Sequence, residues 1–247
     1  QRNCLGLADV DLLAGSVLVS CAETGGDVFG AFLDGGREPA GICIGYGGYV
    51  NRRPRILSEV LAVWPDLRGL GIGAELKKLQ AAVARERGFV EIVWTVDPLR
   101  AGNARLNLEK LGAYCDHYEV NRYGQGFGAG FYGDTPSDRL HMTWEIGSSS
   151  VRDRLLGRVP MTIPDDVEDL LHFSPERSDA ERALVFLPND VDTLLAEDAN
   201  AVLRWRLTLR ETLPPAFEAG YAITGFVRDV DPERGLSAYV ISKRRAP

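Results

Sequence analysis

The chain of 247 residues holds no apolar run of 18 residues, so no transmembrane helix is expected. Its opening, QRNCLGLADVD, lacks the basic-then-apolar pattern of a secretory signal, and no initiating methionine precedes it. Four cysteines, at 4, 21, 43 and 115, have no short paired spacing, which excludes a C-x-x-C type metal cluster and suits a reducing, cytoplasmic setting. Three histidines, at 117, 141 and 172, are scattered without metal-ligand spacing, so no metal is expected. Positive charge is also short: 28 Lys and Arg against 35 Asp and Glu give a net charge of −7. A basic nucleic-acid surface is therefore not expected. Internal repeats and low-complexity tracts are absent. What remains, 45% apolar and 26% charged, is the composition of a globular protein with a sizeable core.

The informative stretch is ILSEVLAVWPDLRGLGIGAELKKL, residues 56 to 79. An apolar run from Ile56 to Val63 reads as a strand closed by Pro65. Ile72, Leu76, Leu79 and Val83 recur at spacings of four, three and four, one face of a helix. Between them a turn carries Arg68, Gly69, Leu70, Gly71, Ile72 and Gly73. A first helical turn leaves backbone N–H groups unpaired and its dipole favours anions. Glycine lets a ligand approach those groups, and an arginine fork suits phosphate oxygens. A diphosphate over residues 69 to 74 is the functional reading; a turn that merely reverses the chain is the structural one. The nucleotide-triphosphate loop does not fit, because AELKK lacks the Lys-Ser or Lys-Thr pair. Gly69, Gly71 and Gly73 give G-x-G-x-G, a near miss to the dinucleotide fingerprint, which keeps a dinucleotide oxidoreductase among the alternatives. A second strand–helix–strand half that would support it is missing.

Arg68-x-x-Gly71-x-Gly73, set between a strand and an amphipathic helix, resembles the acyl-CoA motif of the GCN5-related N-acetyltransferase (GNAT) superfamily. A second signature follows in order: a strand, Asn103-Ala104, a short helix, then Leu111-Gly112-Ala113. The resemblance covers roughly residues 20 to 146. It implies an α+β fold: a mixed, centrally splayed sheet flanked by helices, as a catalytic domain over 1–147, with a smaller C-terminal α+β extension over 148–247. WTVDPLRAGNARLNLEKLGA and the tail RWRLTLRETLPPAFEAGYAITGFVRD resemble a branch connected with amino-acid N-acyl(succinyl) transfer. Acetyl-CoA or succinyl-CoA is then the implied donor, and a small amine or amino acid the acceptor.

By the same resemblance the pantetheine arm lies along Leu61, Ala62 and Val63, and Asn103 contacts it. The diphosphate rests on Arg68, Gly69, Leu70, Gly71, Ile72, Gly73 and Ala74. Glu59 is the candidate proton acceptor. Strict alternation sets it on one face with Leu61 and Val63, opposite Ser58 and Val60, and burial would raise its pKa. A carboxylate paired to Arg53 or Arg55 is the structural alternative. Where family members often carry a tyrosine four residues before Gly112, this chain has Leu108, which donates no proton. Tyr114 is the nearest replacement, followed by Tyr118 and Tyr123. Leu108 also supports the other class, a non-catalytic acyl-CoA-binding or regulatory protein.

Elsewhere, residues 7 to 24 read as a helix interrupted at Gly15, and Val28 to Leu33 with Ala40 to Tyr46 as a hairpin. GYGGYVNRRPR reads as a flexible connection. Val90 to Val96 is a strand parallel to the one before it, Ala101 to Lys110 a short helix that Asn103 caps, and Cys115 to Asn121 and Leu140 to Ile146 strands. YGQGFGAGFYGDTPSD reads as a loop over the active face. In the tail, strands are expected at Ala183 to Leu187, Tyr221 to Arg228 and Leu236 to Lys243. Helices over Val191 to Leu195 and Asn200 to Ala219 include Pro214-Pro215, which should break or kink the second. Arg204, Arg206 and Arg210 either bind a ligand carboxylate or form ordinary ion pairs. Whether the tail continues the same sheet is not decided by pattern, and sheet continuation between copies leaves a homodimer open.

Overall fold

The computed structural model describes residues 1–34, 36–124, 135–158, 173 and 180–244. Gly35, most of the glycine-aromatic stretch, the Val159–His172 segment and residues 174–179 lie outside the described residues, so His172 and that loop's place over the active face do too. Helices α1 (Arg2–Leu5) and α2 (Gly15–Glu23) open the chain, with a 3-10 turn at Asp9–Asp11. Gly15 starts α2 instead of interrupting a longer helix. Strands β1 (Asp27–Phe32), β2 (Pro39–Val50) and β3 (Arg53–Val63) form an antiparallel meander. The stretch expected to be a flexible connection is instead the tip of the β2–β3 hairpin. Tyr49 pairs with Pro54 and Val50 with Arg53, and Asn51 and Arg52 adopt φ of 51° and 65°. Two consecutive positive φ values are what a two-residue hairpin turn requires, and asparagine tolerates them.

Helix α3 (Ile72–Glu86) crosses from β3 to β4 (Glu91–Val96), which lies parallel to β3. Gly88, at φ 83°, ends that crossover as the sequence indicates. Helix α4 (Ala101–Ala104) runs into a π-helical turn at Arg105–Lys110, and β5 (Tyr114–Glu119) and β6 (Arg139–Trp144) follow. Helix α5 (Ser149–Leu155) leads toward β7 (Arg182–Pro188), α6 (Val191–Glu197), α7 (Ala199–Glu218), β8 (Tyr221–Asp231) and β9 (Leu236–Lys243). Helix α7 continues through Pro214 and Pro215, so the two prolines do not break it.

Among the described residues one mixed nine-stranded sheet results, in the order β1-β2-β3-β4-β6-β5-β8-β9-β7. The tail strands thus continue the first sheet, through a contact of β5 with β8 at Cys115 and Ile223. One apolar core spans both parts, joining Ile92, Trp94, Leu111 and Trp144 to Val202, Leu209, Leu213 and Ile241. Buried polar ties reinforce it: Tyr239 donates to the Pro98 carbonyl at 2.7 Å, and Trp144 Nε1 to that of Leu111 at 2.7 Å. All four cysteines are free and buried. No helix among the described residues is long and apolar enough to cross a membrane.

Candidate active site

Parallel strands β3 and β4 share only three register pairs, Arg55 with Glu91, Ile56 with Ile92 and Leu57 with Val93. Beyond Leu57 and Val93 the strands part, and the β4-facing edge of β3 carries no ladder partner among the described residues. A cleft of about 280 Å³ opens there, lined by residues 57 to 61 of β3 and 94 to 97 of β4, and by Lys77, Asn103, Asn107, Tyr123 and the N-terminal Leu5 and Leu13. An extended ligand with amide groups can pair with such a free strand edge, which is the general basis of strand addition.

The glycine turn lies where β3 ends. Gly69 and Gly71 have φ of 83° and 88°, where a Cβ would be strained whatever the space around it. Gly71 is the N-cap of α3 and no side chain caps the helix. The first amide in its ladder is that of Glu75, donating to the Gly71 carbonyl at 3.1 Å. Among the described residues the amides of residues 69 to 74 have no protein acceptor. Unpaired N–H groups at a helix start are the kind of site that can take an anion.

A β-bulge decides which side chains face which way. Gly45 pairs with Ser58, but Ile44 pairs with Val60, so Glu59 has no opposite residue. Alternation inverts across it. Before the bulge Ser58 turns toward α3, where Lys77 Nζ reaches its hydroxyl at 2.7 Å. After it Val60 and Ala62 turn the other way, into a cluster with Cys4 and Ile44. Leu61 and Val63 face α3, within ordinary contact of a Cβ built at Gly73. Strict alternation therefore misplaced Val60 and Leu61 relative to Ser58.

A family model described as Acetyltransferase (GNAT) family matches residues 14–113. That segment, less than half of the chain, is similar to the acetyltransferase (GNAT) family. Among solved structures, the ribosomal-protein-S18-alanine N-acetyltransferase from Escherichia coli is 19% identical over 59% of this chain and 85% of its own, with a TM-score of 0.45. A GNAT family acetyltransferase from Elizabethkingia anophelis, determined with acetyl-CoA bound, is 20% identical over 58% of this chain and 89% of its own, with a TM-score of 0.42. A putative acetyltransferase from Salmonella typhimurium, with its cofactor acetyl-CoA, is 17% identical over 53% and 70%, with a TM-score of 0.42. No curated protein matches the sequence.

The residues expected at the site separate into two groups. Glu59, Leu61 and Asn103 line the cleft. Glu59 is exposed there, not buried, and forms no ion pair among the described residues. Arg55, offered as its structural partner, pairs with Glu91 at 3.0 Å. Asn103 sits inside α4, whose N-cap is Arg100, so it is no cap. Val63 and Ala62 flank the free edge of β3 but turn their side chains to opposite faces. Arg68 bends back onto the protein: its Nη2 donates to the Cys4 carbonyl at 3.0 Å and its Nε to that of Val63 at 3.4 Å. It fastens the N-terminal segment beside the cleft.

Tyr114 is not at the cleft. It lies on β5 level with Thr143, at the closed end of the sheet, with its hydroxyl 3.3 Å from Glu145 and Arg244 stacked 3.7 Å from its ring. Burial raises its pKa, which does not suit a proton donor for a thiolate. Tyr118 is buried and donates to Asp138 at 2.7 Å. Tyr123 does line the cleft, its hydroxyl 3.1 Å from Thr95 Oγ1. The tail arginines are ion-paired: Arg204 with Asp198, Arg206 with Asp97 at 2.8 Å, and Arg210 with Asp138 at 2.7 Å. Asp97 also accepts from the Leu99 amide at 2.8 Å, so it both shapes the turn after β4 and anchors α7.

Two groups escaped the sequence. Lys77 and Gln80 are buried, while Leu79, read as core, is 45% exposed. The buried face of α3 is thus rotated by about one residue from the apolar pattern, and its polar members could not be found by hydrophobic periodicity. On the opposite face a bulge in β5 between Cys115 and Tyr118 brings His117 and Glu119 beside His141, with ligand atoms within 4.8 Å of one another. Arg122 already holds Glu119 there, and burial keeps His141 below the usual histidine range. A divalent cation would have to displace that guanidinium.

Proposed function

We propose that the protein is an N-acyltransferase that moves an acetyl or succinyl group from acyl-CoA to a small amine, an amino acid being the acceptor class the sequence favours. The observation that carries it is the seam of β3 and β4, paired only as far as Leu57 and Val93, opening beside uncapped amides at the start of α3. These residues fit a coenzyme with a diphosphate and a chain of amides. The seat over Gly69 to Ala74 would take the diphosphate, and the free edge of β3 from Leu61 to Val63 the pantetheine amides, with Asn103 beside them.

The reaction then needs placement and two proton movements. A neutral amine in the cleft attacks the thioester carbonyl carbon, forming a C–N bond as the C–S bond breaks. Glu59, exposed on the cleft wall, accepts the amine proton directly or through one water. The thiolate, whose thiol has a pKa near 8 to 9, leaves with little help. Tyr123 replaces Tyr114 as the group in reach to protonate it. Direct attack involves no acyl-enzyme, and no buried cysteine is required.

The displacement of Tyr114 and the presence of Leu108 favour a second reading, a protein that binds acyl-CoA without turning it over. One experiment separates the two. Calorimetry with CoA tests the seat, and thiol release from acetyl- and succinyl-CoA over a panel of D- and L-amino acids and small amines tests the chemistry. Transfer to an acceptor with loss of about 100-fold in kcat on Glu59→Gln supports the enzyme. Tight CoA binding with no release over the panel supports the binding protein.

A further inference from the structure

At the apex of the β3–β4 opening stands a lysine. Lys77 is 1% exposed, yet it lines the cleft. Its ammonium lies 2.7 Å from Ser58 Oγ and 3.2 Å from Gln80 Oε1, and 3.8 Å from the centre of the Trp94 ring. Ser58 and Trp94 are the first residues past the last paired couple, Leu57 and Val93, so the cation sits where the two strands separate. Both of its oxygen partners are neutral. Among the described residues no carboxylate comes within ion-pair distance of it.

The buried acid whose charge acts on Lys77, Asp27, makes no ion pair with it among the described residues, and Gln80 bonds to both. Asp27, fully buried, is occupied by Arg87 at 2.9 Å and by Gln80 Nε2 at 3.0 Å. Asp27, Lys77 and Arg87 together carry one negative and two positive charges, and Cys43, 4.0 Å from Ser58, is held neutral by burial. Arg87 reaches solvent, with its side chain 38% exposed, so the cation that stays inside without an ion-pair partner is Lys77. A buried ammonium without a counter-ion is costly, and the cost falls when an anion arrives. An apolar acyl tail would seal the cation off further from water. A carboxylate would pair with it.

We infer that Lys77 forms the acyl-end subsite of the cleft and takes the terminal carboxylate of a dicarboxylic acyl-CoA, a succinyl or glutaryl thioester, in preference to an unsubstituted acyl chain. This rests on the cleft being the acyl-CoA site. Ser58 and Gln80 orient the ammonium, and the Trp94 face supports it from the β4 side. The tail arginines are committed to Asp97, Asp138 and Asp198, so the acyl end is read from α3 and not from the C-terminal helix.

The test compares succinyl-CoA with butyryl-CoA, four-carbon acyl groups that differ at the far end, by calorimetry on the full chain at pH 7. A succinyl preference of roughly 10- to 100-fold is expected, the range of a charge-assisted hydrogen bond. In Lys77→Met and Lys77→Gln the ratio should fall to about one. Equal binding of the two thioesters by the unaltered protein, or a preference that survives both substitutions, overturns the assignment while leaving the coenzyme site intact. Failure of CoA and both thioesters to bind overturns the coenzyme site itself and the subsite with it.

Discussion

Helices α7 and α3 each carry a cation into the interior beside the same cleft, and the two are treated differently. Arg206 of α7, 1% exposed, meets the Asp97 carboxylate at 2.8 Å. Lys77 of α3, equally buried, meets only a hydroxyl, an amide oxygen and a ring. A paired buried cation is a fastening: Arg206 ties the C-terminal extension to the turn after β4. An unpaired one is destabilising unless something else supplies the charge. Burial alone does not separate structural from functional ions; the counter-ion does.

The sharpest way to break that contrast is to make Arg206 resemble Lys77. Asp97→Ala strands the guanidinium, whose Nε and Nη1 already lack partners among the described residues. A loss of about 3–5 kcal/mol in chemical denaturation is expected, the usual cost of removing one member of a buried pair. A loss below about 1 kcal/mol would mean that the pair is not the fastening claimed here.

The converse change relieves α3. Desolvation lowers the Lys77 pKa from 10.5 to about 8, with the Asp27 charge pulling the other way. A lysine with a depressed folded pKa holds its proton less well in the native state than in the unfolded one. Below pH 8 both states are protonated and the penalty is complete; between 8 and 10.5 the unfolded state binds more protons, so stability rises with pH. Lys77→Met should therefore gain on the native protein by up to about 3 kcal/mol at pH 7. Unmet Ser58 and Gln80 groups will offset part of that gain. The informative reading is the difference between the two proteins, which should shrink from pH 8 to 10.5. A difference flat across that window would show that Lys77 is not a desolvated cation.

The glycine turn offers a smaller effect that acts on ligand before fold. Gly71→Val forces a β-branched residue to φ 88°. It should cost about 1–2 kcal/mol of stability and at least tenfold in CoA affinity, since the amides of the seat would be reoriented. Arg68→Ala, by contrast, should lower affinity much less, because that side chain bonds to the Cys4 and Val63 carbonyls. Equal losses for both would return Arg68 to the anion seat.

These contrasts follow what the sequence could and could not display. The α3 crossover, the glycine turn and the tail strands were legible because each is written in local terms: an apolar run, positive-φ residues, a helical repeat. The faces of Val60 and Leu61 relative to Ser58 were not legible. A bulge is a fact about two paired strands, and alternation within one of them cannot register the extra residue. Lys77 was hidden by the opposite cause. Hydrophobic periodicity assigns polar residues to solvent, so it chose Leu79 for the core of α3 and passed over a polar pair set against the opening of the sheet. Tyr114 was chosen by nearness in sequence to Gly112, whereas Tyr123 reaches the cleft through the chain's return after β5. The ion pairs of Arg206 and Arg210 join positions 109 and 72 residues apart, beyond any local pattern.

The smallest expected effect completes the series on α7 itself. Arg204 pairs with Asp198 at 3.0 Å, two residues before and in the same helix as Arg206. Its side chain is 67% exposed, so water screens the charges and the side chains lose entropy when they pair. Arg204→Ala should change stability by no more than about 0.5 kcal/mol. Salt should erase even that, because exposed pairs are screened at physiological ionic strength. A loss approaching that of Asp97→Ala would show that position along the helix, and not burial with a counter-ion, sets the value of these arginines.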